Sequence, residues 1–152
     1  MARSERGLRL RPAAYLALAA TLLTACSYEP MNRPEVHGHR GCRAVLPENT
    51  LAGFLKATEL GCDRLEMDVV ITGDSQVLVS HEPWMEHRIC RTPAGDSITE
   101  AQELSFNIHR MTLAEVQAFD CGRSAHPDFP EQENAPAFKP TLRQVVEAVD
   151  EK

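Results

Sequence analysis

The segment 36–83 reads VHGHRGCRAVLPENTLAGFLKATELGCDRLEMDVVITGDSQVLVSHEP, and its pattern decides the fold. Apolar and β-branched runs predict three strands, at Glu35–His39, Arg64–Ile71 and Gln76–Ser80. A helix is predicted between the first two of them. Strand, helix and strand in this order are typical of an α/β fold with parallel strands.

The helix is predicted to begin at Pro47-Glu48-Asn49-Thr50, where Asn49 or Thr50 can cap it. Gly61 lies where a left-handed residue is expected to end it. Glu48 has two interpretations: it approaches the metal or the substrate, or it only favours the positive N-terminal end of the helix.

Two carboxylates, Glu66 and Asp68, are expected on one face of the second strand, while Leu65, Met67 and Val69 take the other. Neighbouring carboxylates that face into a protein repel each other unless a proton or a cation lies between them. Oxygen ligands favour a hard ion, so the predicted cofactor is Mg²⁺ or Ca²⁺. The alternative is that both face solvent on an edge strand, but the flanking histidine motifs favour the cation.

Two histidines, His39 and His81, each stand at the C-terminal end of a predicted strand, which is the edge that carries the active site in a parallel α/β barrel. Two imidazoles can act as general base and general acid on opposite sides of a phosphorus atom. Arg40 can hold a phosphoryl oxygen through its planar set of donors; the alternative is an ordinary salt bridge. The remaining histidines are expected to be structural or exposed: His37, His87, His109 and His126.

Four motifs follow one another in an order that resembles the glycerophosphodiester phosphodiesterase family: His39-Arg40-Gly41, Pro47-Glu48-Asn49-Thr50, Glu66-Met67-Asp68 and His81-Glu82-Pro83. The resemblance covers residues 36–149. It implies a phospholipase-C-like (β/α)8 TIM barrel and metal-dependent hydrolysis of glycerophosphodiesters to sn-glycerol 3-phosphate and an alcohol. It also implies the acid and base roles of His39 and His81, and a third carboxylate ligand on a further strand.

The chain is short for such a barrel, which needs roughly 250 residues. We therefore expect residues 35–152 to be the N-terminal part of the domain, a truncated barrel of about three strands that is inactive alone. The ten residues from Asp68 to Val77 are also too few for a helical crossover. Either an extended segment connects the second and third predicted strands, or these two strands are not an ideal pair of barrel strands.

Residues 1–25 predict a signal peptide, because arginines precede an apolar run at 13–23 that is too short to span a bilayer. The sequence Leu23-Thr24-Ala25-Cys26 resembles the bacterial lipobox. We therefore expect a lipidated Cys26, a tether at 26–34 and an outer-membrane protein that faces the periplasm. The alternative is an ordinary secretory signal with a chance cysteine.

The charge of the chain argues against a nucleic-acid partner. Without residues 1–25 it has 12 basic and 21 acidic residues, a net charge of −9, and no basic stripe. The expected partners are a small-molecule glycerophosphodiester, which the resemblance implies, and a membrane that the chain contacts only through its lipid anchor.

Four cysteines beyond Cys26 permit three pairings: Cys42, Cys62, Cys90 and Cys121. Their spacing is not that of a zinc site, and an oxidising periplasm allows disulfides. Cys90 and Cys121 flank the long insertion between His81 and the last predicted helix, so we prefer the pair Cys90–Cys121. Cys42 is a candidate for a free buried thiol.

Two capping boxes predict further helices, one from Thr112 through Phe119 and one that begins at Thr141. The second is expected to bury one apolar face, formed by Leu142, Val145, Val146 and Val149.

Two other functions compete with the phosphodiesterase. His37-Gly38-His39 is similar to the H-x-H of amidohydrolases, another class of barrel metal hydrolases, but that reading explains neither Arg40-Gly41 nor the Glu66-Asp68 pair. The other competing function is that of a non-catalytic surface lipoprotein, which has the site residues but, as truncated, cannot complete the site.

Overall fold

The structure is a computed structural model that describes residues 33–151. Residues 35–152 belong to one compact unit. The predicted signal peptide and the predicted lipidation of Cys26 lie outside the described residues. Within residues 33–151, no helix is long and apolar enough to cross a membrane.

The first three elements form a strand–helix–strand unit: β1 (His37–Gly38), α1 (Leu51–Glu59) and β2 (Arg64–Leu65). β1 and β2 are parallel, with His37 opposite Arg64 and Gly38 opposite Leu65. The hydroxyl of Thr50 caps α1 by accepting a hydrogen bond from the Gly53 amide at 3.1 Å. Gly61 has a φ of 79°, as predicted for the end of this helix.

The prediction of one strand over Arg64–Ile71 is wrong. The chain leaves β2 after Leu65, and β3 (Val69–Ile71) pairs antiparallel with β4 (Val77–Val79). The turn closes through a hydrogen bond from Thr72 N to Gln76 O, with Ser75 at a φ of 63°. A connection this short forms an antiparallel hairpin and no parallel crossover, which settles the question that the sequence left open.

The change of sheet after β2 also breaks the predicted alternation of side chains. Leu65 and Met67 pack against the core, as expected, but Val69 is 50% exposed. Period-two alternation holds only while a strand stays in one sheet, and residues 66–68 belong to neither sheet.

The remaining helices follow the hairpin. They are α2 (Glu100–Glu103), a 3₁₀ turn (Ile108–Arg110), α3 (Leu113–Gln117) and α4 (Leu142–Asp150). Both predicted capping boxes are present, at Thr112 and at Thr141. Two details differ from the prediction: α3 ends at Gln117 and does not reach Phe119, and Val146 is 48% exposed and lies outside the buried face of α4.

β4 separates two hydrophobic clusters, because its successive side chains point to opposite faces. Leu78 belongs to the larger cluster, which contains the disulfide Cys90–Cys121, the pairing preferred from the sequence. Val79 belongs to the smaller cluster, where it meets Phe54 of α1 and Val145 of α4. Of the cysteines in the described residues, Cys42 and Cys62 are free and partly buried.

Candidate active site

The turn after β1 presents His39 and Arg40. Arg40 has a φ of 52° and Gly41 a φ of 86°. A Cβ at Gly41 would lie 2.8 Å from the carbonyl carbon of Gly53 in α1, so only glycine fits there. The Asn49 amide donates to Arg40 O at 2.9 Å, which ties the turn to the start of α1.

Arg40 brings the predicted site residues together. Its backbone amide donates to Glu66 Oε2 at 2.8 Å, and its Nη1 donates to Glu48 Oε1 at 2.8 Å. Its Nε lies 3.5 Å from Asp68 Oδ2. The Arg40 side chain is 14% exposed, so these contacts are made largely out of water. An arginine between two carboxylates, with donors to spare, can hold the oxygens of a phosphate.

The two carboxylates emerge beside β1. The Glu66 amide donates to Gly38 O at 2.9 Å, which fixes this segment next to the His39 turn. Leu65 and Met67 pack into the smaller cluster, and Glu66 and Asp68 both contact Arg40. The structure therefore places the pair at a common site, although residues 66–68 are not part of a strand.

A hard divalent cation fits this pair in one respect. Asp68 Oδ2 is buried and has no hydrogen-bond partner, which is the condition of an oxygen that awaits a cation or a donor. Within residues 33–151 no group of three or more His, Cys, Asp or Glu side chains could hold a metal ion. The described part of the chain therefore offers two candidate carboxylates, Glu66 and Asp68, and not a complete ligand set.

Both predicted catalytic histidines are accessible, and His39 lies next to Glu66. His39 Nε2 is 3.9 Å from Glu66 Oε2, and its side chain is 59% exposed. The Ser80 amide donates to Asp68 O at 3.0 Å, which places His81 just beyond Asp68. His81 Nδ1 is 2.7 Å from Glu82 Oε1, a contact that orients the ring.

Glu48 has a role that neither sequence interpretation included. Its side chain is 4% exposed and lies near two positive groups, Arg40 at 2.8 Å and Arg43 Nε at 3.9 Å, and near His126 Nε2 at 3.6 Å. Burial alone would raise the pKa of Glu48, but the hydrogen bond and charge of Arg40, with the charges of Arg43 and Lys139, hold that pKa below its usual value. Glu48 is thus an ionised partner of Arg40.

His126, expected to be structural or exposed, is buried behind Glu48. Its Nδ1 accepts a hydrogen bond from the Asp128 amide at 3.1 Å. Burial lowers the pKa of His126, so the ring is neutral near pH 7. A neutral ring with an accepting Nδ1 carries its proton on Nε2, the nitrogen nearest Glu48.

Lys139 is a second residue that the sequence did not single out. It is 5% exposed, and burial lowers the pKa of its amine from 10.5 to about 8, against the opposing charges of Glu48, Glu86 and Glu82. No local pattern marks it, because a lysine in a proline-containing segment is ordinarily exposed.

Unsatisfied polar atoms concentrate at this site. Among the described residues, seven buried side-chain nitrogen and oxygen atoms have no hydrogen-bond partner, and five of them belong to Arg40, Arg43, Asn49 and Asp68. Buried polar groups normally find partners, so a cluster of unpaired ones around Arg40 indicates a place for a polar ligand or water.

The other histidines lie outside this cluster. His37 is 53% exposed and faces Glu35 at 3.3 Å, and it does not join His39 in a metal site. His87 Nδ1 lies 2.6 Å from Glu103 Oε2, in a separate pair.

Comparisons with known proteins agree with this geometry. Residues 39–152 match the glycerophosphoryl diester phosphodiesterase family. A glycerophosphodiester phosphodiesterase from Caldanaerobacter subterraneus is 32% identical over 117 residues, which are 77% of this chain and 41% of the relative. The chain therefore belongs to the glycerophosphoryl diester phosphodiesterase family. The amidohydrolase alternative is wrong.

Solved structures show the same relationship. A family member from Silicibacter pomeroyi superposes with a TM-score of 0.70 at 34% identity, over 75% of this chain and 39% of that one. A phosphodiesterase from Oleispira antarctica, solved in complex with the product sn-glycerol-3-phosphate, has a TM-score of 0.57 at 26% identity, over 78% and 40%. The predicted fold class is confirmed: the described residues form an α/β portion of a TIM-type barrel. The chain spans about two fifths of the length of these relatives.

Proposed function

We propose that the product of the gene that encodes this chain hydrolyses glycerophosphodiesters to sn-glycerol 3-phosphate and an alcohol, with a divalent cation as cofactor. The observation that carries the proposal is the position of Arg40. It lies between Glu48 and Asp68, and its amide holds Glu66. Family membership and the product-bound relative from Oleispira antarctica support the substrate class.

Glu66 and Asp68 are the residues that would hold the cation, Mg²⁺ or Ca²⁺. The unpaired, buried Oδ2 of Asp68 supports this role, and so does the preference of hard cations for carboxylate oxygens. A bound divalent cation supplies positive charge next to the phosphoryl oxygens, where negative charge increases during the reaction.

Arg40 would orient the phosphodiester. Its Nη1 donates to Glu48, and its Nε, which has no hydrogen-bond partner, lies in a longer 3.5 Å contact with Asp68 Oδ2 that a phosphate oxygen could replace. Charge-assisted hydrogen bonds from a held guanidinium position the phosphorus atom and stabilise its equatorial oxygens.

His39 and His81 would move the protons. One imidazole takes a proton from the attacking water as the water oxygen bonds to phosphorus. The other gives a proton to the alcohol oxygen as the bond between that oxygen and phosphorus breaks, which releases the alcohol and leaves sn-glycerol 3-phosphate. The exposure of both rings gives substrate access to them, and the contact of His81 with Glu82 orients the His81 ring.

The location of the protein is also a proposal. The arginine-rich start, the short apolar run and Cys26 support a lipid-anchored protein of the cell envelope, on the periplasmic side of the outer membrane.

The activity is tested on the product of the complete gene with sn-glycero-3-phosphocholine, by enzymatic detection of sn-glycerol 3-phosphate. We expect product to form, EDTA to stop its formation, and Mg²⁺ or Ca²⁺ to restore it. The variant Arg40→Ala should be inactive. Failure of the wild-type protein to release sn-glycerol 3-phosphate with either cation would contradict the proposal and favour a non-catalytic lipoprotein.

A further inference from the structure

The loop of residues 126–133 docks onto the turn that follows Arg40. Gln132 Nε2 donates to Arg43 O at 2.6 Å and to Leu46 O at 3.2 Å. The Glu133 amide donates to Val45 O at 2.9 Å. These contacts join two segments that are far apart in the sequence.

An aromatic side chain of the same loop, Phe129, contacts Arg43 of the turn. The Arg43 guanidinium lies 4.7 Å from the centre of the Phe129 ring, within the range of a cation–π contact. The ring of His126 lies 4.8 Å from that of Phe129. Phe129 therefore fixes His126 and Arg43 on the same side of Glu48.

His126 completes the enclosure of Glu48. Its side chain is 2% exposed, and that of Glu48 is 4% exposed. The proton of the neutral ring lies on Nε2, 3.6 Å from Glu48 Oε2, because Nδ1 already accepts from the Asp128 amide. The other carboxylate oxygen, Oε1, is left to Arg40.

We propose that His126 is a positioning residue of the active site: it holds the Glu48 carboxylate so that Glu48 fixes the guanidinium of Arg40 for a phosphate oxygen. The chain of contacts runs from Asp128 through His126 and Glu48 to Arg40. That Arg40 must be oriented rests on the proposed function. The contacts of His126, Glu48 and Arg40 are observed whether or not that function holds. In a purely structural role the His126 ring would only fill space, and the Nε2–H dipole that faces Glu48 Oε2 at 3.6 Å, beyond hydrogen-bond distance, would have no effect on the position of Glu48.

The first test is the tautomer of His126 in the wild-type gene product, measured by long-range ¹H–¹⁵N NMR at neutral pH. We expect a proton on Nε2 and none on Nδ1. A proton on Nδ1 would overturn the proposal, because Nε2 would then face Glu48 as an acceptor. This test needs no variant and is independent of folding defects.

The second test compares three variants through the Nε–Hε NMR signal of Arg40, without ligand. His126→Phe keeps a ring against Phe129 but removes the donor, and it should broaden the signal or speed its exchange with water. His126→Gln restores an N–H at a similar reach and should return the signal towards wild type. His87→Phe is the matched control, because it breaks a histidine–carboxylate pair that does not involve Arg40. The proposal would be overturned if the Arg40 signal is unchanged in His126→Phe, or if it broadens equally in His87→Phe.

The third test is the affinity for sn-glycerol 3-phosphate, measured by calorimetric titration. We expect His126→Phe to weaken binding severalfold, because the Glu48 carboxylate loses the N–H dipole that faces it, and His126→Gln to recover most of the lost affinity. Wild-type affinity in His126→Phe would overturn the proposal. A wild-type protein that does not bind the probe would count against the proposed function, and the Arg40 signal would still decide whether His126 positions Arg40.

Discussion

The guanidinium of Arg40 donates to the carboxylate of Glu48, eight residues later in the chain, at 2.8 Å. Both side chains are largely removed from water, at 14% and 4% exposed. The pair joins the turn after β1 to the segment that leads into α1. It therefore couples the stability of this part of the fold to the geometry of the proposed phosphate site.

Glu48→Gln is expected to destabilise the fold by about 3 kcal/mol at neutral pH, because it leaves a buried guanidinium without its charge partner. The folded-state pKa of Glu48 is lowered from 4.5, so its contribution is complete above 4.5 and is lost as the pH falls through the folded pKa. The difference in free energy of unfolding between wild type and variant, from urea denaturation, should therefore shrink below pH 4.5. A difference that does not depend on pH would contradict the ionised role of Glu48.

Lys139→Met is expected to change how stability depends on alkaline pH. The pKa of Lys139 is about 8 in the folded chain and 10.5 when unperturbed, so the unfolded state binds more protons between these values. Stability conferred by this group therefore rises with pH from 8 to 10.5, and the variant should lack that rise. Urea denaturation of both proteins across this range measures the difference. If the free energies of unfolding of the two proteins change in parallel with pH, Lys139 is not held in a desolvated site.

Asp68→Asn is expected to keep the fold and weaken cation binding strongly, because it removes a charged oxygen ligand. Calorimetric titration of the complete gene product with Mg²⁺ and with Ca²⁺ measures the effect. Asp96→Asn, an exposed aspartate of another loop, is the matched control. Equal affinities in Asp68→Asn and wild type would place the metal elsewhere.

Cys26→Ser tests the anchor. A lipidated Cys26 holds the protein on the membrane, so the variant should move from the detergent-soluble membrane fraction to the soluble periplasmic fraction. Labelled palmitate should enter the wild type only. Unchanged fractionation together with an unlabelled wild type would remove the lipoprotein claim.

Local features of the fold were predictable from the sequence because they depend on neighbouring residues. Thr50 caps α1, Gly61 ends it, and Thr112 and Thr141 open helices through capping boxes. A hydroxyl or a glycine at the right spacing is sufficient to fix such features. The break after Leu65 was not predictable, because a β-branched run can pair with a strand on either side.

The motif residues of the proposed site could be predicted from the sequence, but the residues that hold them in position could not. His39, Arg40, Glu66 and Asp68 carry chemistry that their residue types reveal, and the structure brings them to one place. The burial of His126 behind Glu48 depends on the docking of a distant loop, and no local pattern encodes such a contact. The loop of residues 126–133 has the composition of an ordinary exposed turn.

The most direct test of the account is the turnover of sn-glycero-3-phosphocholine by the complete gene product and its histidine variants. His39→Ala and His81→Ala should each lower kcat by roughly 10² to 10⁴, the usual contribution of a positioned proton donor or acceptor. His37→Ala, which changes an exposed histidine outside the site, should leave kcat unchanged. With a p-nitrophenyl leaving group, which needs no proton, only the variant that lacks the general acid should recover. Near wild-type kcat in both His39→Ala and His81→Ala on the natural substrate would contradict the two-histidine mechanism.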